Sequence, residues 1–177
     1  MRNSIWIGLT ISVLILACKK DDTNPSNNTN NNPPEATLSS SLFADSGIMP
    51  QELGRYHGNA SPDLKIETPP SGTVVMVLTM QDVSFNNAWH WTVWNIPVAK
   101  TSIAKNEDWA GLNVTVGDCD YGQGYVGPFP PNEHVYKITV YFLKEKLSLA
   151  AASYASLPDA MKDKIIAQAS LKGRYLP

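Results

Sequence analysis

Charge is scarce in this chain. Only 17% of its 177 residues are charged, and 14 basic against 16 acidic side chains leave a formal net charge of -2. No basic run occurs away from the N-terminus, which argues against nucleic acid as the main partner. Glycine (11) is outnumbered by proline (13), a balance that favours strands and loops over a helical bundle. The apolar run from Ile5 to Ala17 is shorter than the roughly 20 residues a membrane span needs. No HxxxH or CxxC spacing occurs, so local metal-ligand pairs are missing and no metal or other cofactor is expected. There is no GxSxG elbow, and Ser84 near His90 and Asp82 is a triad by composition only, so no catalytic residue is assigned. Cysteine is limited to Cys18 and Cys119.

The N-terminus has the character of a targeting segment. Arg2 precedes the apolar run, which closes on Ile15-Leu16-Ala17-Cys18. A branched residue, a spacer, a small residue and then cysteine resembles a bacterial lipobox, implying cleavage before Cys18 and lipidation of its sulfur. Residues 1–17 are thus expected to be a lipoprotein signal peptide. Residues 18–35, with Lys19-Lys20-Asp21-Asp22 and an Asn/Pro/Ser tract lacking apolar side chains, are expected to be a disordered tether. The acidic pair after the cysteine resembles surface-export signals of some lipoproteins. The expected location is the cell envelope, lipid-anchored at the outer membrane, with surface exposure the further option. With Cys18 acylated, Cys119 has no partner for an internal disulfide and is expected to be a buried, inert thiol.

Residues 36–177 carry the fold. Ala36–Leu42 has strand character, as does Leu64–Thr68. Thr73–Met80 (TVVMVLTM) is a continuous apolar run of strand length, the pattern of a central strand covered on both faces, with Asp82 at its end. Ala88–Ile96 (AWHWTVWNI) is the next strand. Simple alternation would put Trp89, Trp91 and Val93 on one face, and His90, Thr92 and Trp94 on the other. A short strand is expected within Leu112–Val116. Gly124–Phe142 (GYVGPFPPNEHVYKITVYF) is a loop stiffened by Pro128, Pro130 and Pro131 that empties into His134 and an alternating strand. One helix is expected over Leu157–Lys172. Ser156 and Asp159 resemble a capping box, Leu157, Met161, Ile165 and Ala169 form an apolar stripe, and Gly173 stops it. The GxGxxG match at Gly122–Gly127 is not a dinucleotide site, because the prolines after it forbid the required helix.

Three polar residues stand at strand ends or on strands dominated by apolar residues: Asp82, His90 and His134. His57, in a polar loop, is expected to be solvated. One carboxylate and two imidazoles beside a rigid loop would suit an oxyanion. Spacing alone favours the plainer reading of satisfied polar groups at a sheet edge.

Gly58-Asn59-Ala60-Ser61-Pro62-Asp63-Leu64, Trp89-His90-Trp91, Asn95-Ile96-Pro97, Asp120-Tyr121-Gly122, and above all the proline-rich run from Gly124 to Tyr136, resemble the phosphatidylethanolamine-binding protein family, whose bacterial branch is called Raf kinase inhibitor-like. Ile165–Tyr175 resembles the family's last helix. The resemblance implies a mainly β fold, a β-sandwich of antiparallel sheets with a C-terminal helix. It implies a pocket for phosphate-like or other anionic groups, a phospholipid headgroup among them. His90, His134 and Tyr136 match its ligand-binding residues. Asp82 matches the first aspartate of the family's Asp-Pro-Asp-Ala-Pro, with Gly127, Pro128 and Pro131 at the rim. Here the chain reads Asp82-Val83-Ser84-Phe85-Asn86, which replaces the second aspartate with Ser84 and removes two prolines. The expected function is non-catalytic binding of a small anionic or phosphorylated ligand. The alternatives are a protein-interaction or inhibitor module, with no partner named by the residues, and, last, a weak hydrolase.

Overall fold

The computed structural model describes residues 35–177. The expected signal peptide, the expected lipidation of Cys18 and all but the last residue of the expected tether lie outside them. Eleven strands form in chain order: β1 (Thr37–Ser39), β2 (Gly47–Ile48), β3 (Leu64–Glu67), β4 (Val75–Asp82), β5 (Ala88–Pro97), β6 (Ser102–Ile103), β7 (Thr115–Val116), β8 (Asp118–Cys119), β9 (Gly122–Gln123), β10 (His134–Leu143) and β11 (Ile165–Tyr175). A six-stranded sheet has the order β2-β11-β10-β4-β5-β7, and a three-stranded sheet the order β1-β3-β6. All pairings are antiparallel except β2 with β11.

The apolar run at β4 becomes a central strand because both its faces are covered. Met76, Leu78 and Met80 join Leu38, Leu64, Ile66 and Ile103 of the small sheet in the main core. Val75 and Val77, on the opposite face, pack with Trp94, Leu143, Leu147, Leu157 and Met161. The chain is therefore a sandwich with a second, smaller core behind the large sheet. The expected strand within Leu112–Val116 shortens to β7.

The helix expected over Leu157–Lys172 is confined to α1 (Leu157–Met161), preceded by a 3-10 segment, Ala151–Ser156. Ser156 makes no side-chain capping bond. Ile165–Tyr175, the stretch that resembles a helix, is instead β11, paired with β10 along its length. The physical reason lies in the spacing. Residues four apart share a helix face, but four is also a multiple of two, so they share a strand face as well. The alternation of buried Ala169, Leu171, Gly173 and Tyr175 with more exposed neighbours is the period that prevails.

Gly173 is accordingly no helix stop. It pairs with Tyr136 and Gly47, and a Cβ there would stand 2.4 Å from Met49 Cγ and 2.9 Å from Phe43 Cε2. Gly173→Ala should lower unfolding stability by about 1–3 kcal/mol through overpacking. Urea denaturation checks this, and an unchanged midpoint would contradict the close approach.

Candidate functional site

The site begins with an irregularity in the pairing of β4 with β5. Met80 faces Trp91 but Gln81 faces Trp89, so His90 is an extra residue in β5. Such a bulge re-aims side chains. It corrects the simple alternation: Trp91 and Val93 enter the main core, whereas Trp89 packs with Trp94 on the opposite face. A second shift, between Met76 and Leu78, falls near Asn95, whose φ is 61°.

The bulge turns His90 toward β10, where its ring meets Tyr136 edge-on with centroids 5.1 Å apart. The proline-rich loop grips it from behind. His90 Nδ1–H donates to the Val126 carbonyl at 2.7 Å, and the Val126 N–H donates to the His90 carbonyl at 2.8 Å. Since a carbonyl only accepts, Nδ1 carries the proton and Nε2 carries the lone pair in the neutral ring.

β4 and β10 supply the other groups. Their register places Tyr136 opposite Asp82, and alternation puts His134 on the same face as Tyr136. His134 Nδ1–H donates to Asp82 Oδ2 at 2.7 Å, while Asp82 Oδ1 accepts from the Ser84 N–H at 2.9 Å. Ser84 Oγ in turn accepts the Val135 N–H at 3.0 Å. Asp82 is thus partnered by His134 on one oxygen and by the turn that Ser84 builds on the other.

Asp82, His90, His134 and Tyr136 line one cavity of about 350 Å³, together with Pro131. Gly127 and Pro128 do not line it. Gly127 packs against the backbone of Leu53–Arg55, where a Cβ would meet Leu53 O at 2.0 Å, and Pro128 O accepts from Arg55 N–H at 2.9 Å. Both hold the loop from outside and are not its rim. Phe85, Tyr121, Phe129 and Pro130 complete the lining and were not singled out for it from the sequence. Tyr121 and Phe129 stack edge-on at 4.8 Å. Asp120-Tyr121-Gly122 and the run Pro128–Pro131 signalled them, but a loop aromatic has no periodicity to tell which way it points.

Burial pushes the Tyr136 hydroxyl well above its ordinary pKa, with the Asp82 charge adding to it. Tyr121 is raised by burial, then by Asp120 and Asp82. Both keep their protons and can donate. Burial lowers the pKa of His90, outweighing the Val126 carbonyl and the Asp82 charge, which pull the other way. Cys119 is buried, and its thiol is raised by that burial. His57 is exposed.

The architecture is a β-sandwich with a polar-floored aromatic pocket at one end of its large sheet. Residues 39–176 match the model of the phosphatidylethanolamine-binding protein family, and the chain belongs to that family. It is 29% identical over 145 residues to a Mycobacterium tuberculosis protein named "Putative lipoprotein LppC", covering 78% of this chain and 71% of that one. It is 34% identical over 118 residues to the Escherichia coli UPF0098 protein YbcL, covering 59% of this chain and 64% of the relative. The crystal structure of YbcL, described as a new member of the mammalian PEBP family, superposes with a TM-score of 0.73 over 81% of this chain and 99% of that one, at 24% identity. A homologue from Chlamydia trachomatis, CT736, gives a TM-score of 0.72 at 26% identity, over 80% and 97% of the two chains. In keeping with its family, the chain is a ligand-binding or interaction module.

The lowered His90 pKa has a sign for stability. The folded state holds this proton less tightly than the unfolded chain, whose value is about 6.5. Below that value the unfolded chain binds more protons, so the contribution is present above it and is lost as pH falls. Unfolding free energy should therefore drop from pH 7.5 to 5.5, by at most about 1.4 kcal/mol per pH unit from this group. His90→Asn, which keeps a donor for Val126 but cannot titrate, should have a shallower slope. Equal slopes in wild type and variant would show that His90 does not contribute.

Proposed function

We propose that the protein binds, without catalysis, a small anionic or phosphorylated ligand in the pocket floored by Asp82, His90, His134 and Tyr136. The observation that carries this reading is the convergence of two imidazoles and a tyrosine hydroxyl in one cavity, with Asp82 engaged by His134 at 2.7 Å. Tyr121 and Tyr136 donate hydrogen bonds, and the aromatic walls take the organic part of the ligand. A phospholipid headgroup is one source of such chemistry, and a soluble phosphate ester another. The lipobox-like Ile15–Cys18 and the name of the mycobacterial relative support a lipid-anchored envelope protein, at the outer membrane in our reading. No step of bond cleavage is assigned: among the described residues, the cavity lining holds no serine, threonine, cysteine or lysine. Ser84 Oγ, the nearest candidate by sequence, is engaged with the Val135 N–H.

A second reading, a protein-interaction or inhibitor module, has its own observation. Val83 and Phe85, beside Asp82, are 39% and 54% exposed, which leaves apolar surface next to the mouth. Partner capture that persists with the pocket saturated by phosphate ester would favour it.

The pocket reading predicts that His90→Ala and His134→Ala each weaken binding of phenyl phosphate at pH 6 by tenfold or more. Isothermal calorimetry measures this, and unchanged affinity in both variants would refute the assignment.

A further inference from the structure

The hydrogen bonds around the pocket leave it short of donors. Both imidazoles have spent their Nδ1–H groups on the protein, His90 on the Val126 carbonyl and His134 on Asp82 Oδ2. Neither Nε2 has a hydrogen-bond partner among the described residues. A neutral ring therefore offers a ligand only a lone pair there. Three of the loop amides are committed in the same way. The N–H groups of Gly124, Val126 and Gly127 are given to Gly117 O, His90 O and Asn59 Oδ1, and Pro128, Pro130 and Pro131 have none. No lysine or arginine lines the cavity. The guanidinium of Arg55 lies over the Phe129 ring, 4.9 Å from its centroid, and belongs to no part of the lining.

The charges facing the two rings have one sign. Asp82 reaches His90 from β4 and Asp120 from the β8–β9 turn, with the neutral Tyr121 and Tyr136 beside it. His134 meets Asp82, and its neighbour Glu133 is paired with Arg174 of β11 at 3.3 Å. A permanent anion entering this cavity would face the His90 Nε2 lone pair and the Asp82 carboxylate, with no lysine or arginine in compensation.

We propose that the pocket takes its anion together with one proton, shared between a ligand oxygen and Nε2 of His90, and that its ligand is a weak acid with an ionisable O–H, such as an aromatic phosphomonoester, rather than a permanent anion such as a phosphodiester. This rests on the anion-pocket reading above and specifies its ligand. The proton comes from solvent, or arrives on the ligand. It forms a hydrogen bond between the two partners, and no covalent bond of the ligand breaks. Burial disfavours a charged His90 in the empty pocket, so the ring is not protonated in advance. An ionisable oxygen of the ligand reverses this because it binds the shared proton itself, which a diester oxygen does not. The walls at Tyr121, Phe129 and Phe85 select an aromatic or similarly flat group on the acid.

The test is calorimetric titration of the full-length protein with phenyl phosphate at pH 8, in two buffers of different ionisation enthalpy. A phosphomonoester has its second ionisation near about 6, so the free ligand is then almost wholly a dianion. Uptake of close to one proton per ligand is expected, with affinity falling about tenfold between pH 7 and pH 8. Methyl phenyl phosphate, which has no such proton, should bind at least tenfold more weakly at pH 6. Binding of phenyl phosphate with no proton uptake and a flat pH profile would overturn the proposal while leaving the anion reading intact. No binding at any pH, or preference for benzylammonium, would strike the anion reading itself. His90→Asn should abolish the uptake, and uptake that persists in a folded variant would overturn the assignment to His90. Should that variant not fold, the wild-type proton count and the diester comparison decide alone.

Discussion

One extra residue in β5 determines what this pocket can be. Without the bulge at His90, strict alternation would carry its side chain to the face opposite Trp91, into the smaller core behind the sheet. The bulge sends His90 to the same side as Tyr136, and the exchange of hydrogen bonds with Val126 fixes the ring there. Trp91 and Trp89 then secure the bulge from both faces, Trp91 in the main core and Trp89 against the smaller one, while the Trp89 backbone N–H donates to Asp120 Oδ2 at 2.8 Å. A bulge next to a site costs ladder hydrogen bonds, and here the loop restores them.

The loop does this because it is rigid in two different ways. Its prolines restrict φ and remove donors, as the sequence implies. Its glycine at 127 allows the backbone to lie against Leu53–Arg55, closer than any side chain would permit. Asn59 completes the attachment, accepting the Gly127 N–H at 2.8 Å and donating to Tyr125 O at 3.2 Å. The Gly58–Leu64 segment that resembles the family is therefore structural in part: it supplies the side chain that anchors the loop behind His90. Using the Val126 and Gly127 amides this way leaves those two unavailable to a ligand.

How much of this was legible in the chain depends on the range of the signal. β4, β5 and β10 were readable because their apolar runs and alternation are local, and Asp82 and His134 fell at the ends of those strands. Alternation also gave the shared face of His134 and Tyr136. The bulge was not readable, because it exists only in the register between two strands. The C-terminal strand reads as helix in the sequence because an apolar spacing of four satisfies both periods, and only pairing with β10 decides between them. The aromatic lining, Tyr121 and Phe129 above all, sits on loops whose side-chain directions come from tertiary packing.

Ser84 shows how a departure from a family pattern can be compensated. The sequence comparison implies that an acid has been lost from the pocket edge, together with two prolines that would have stiffened it. In the fold, the Ser84 N–H binds Asp82 Oδ1 and its Oγ takes the first free N–H of β10, so the turn is tied down by hydrogen bonds instead. The electrostatic result differs from the mechanical one. A second carboxylate would add to the repulsion that an entering anion meets. With Asp82 alone, and with His134 already bonded to it, the Nε2 of His90 is the ring nitrogen whose proton our proposal follows. A site in that condition would, on our proposal, discriminate between ligands by their acidity as well as by their shape.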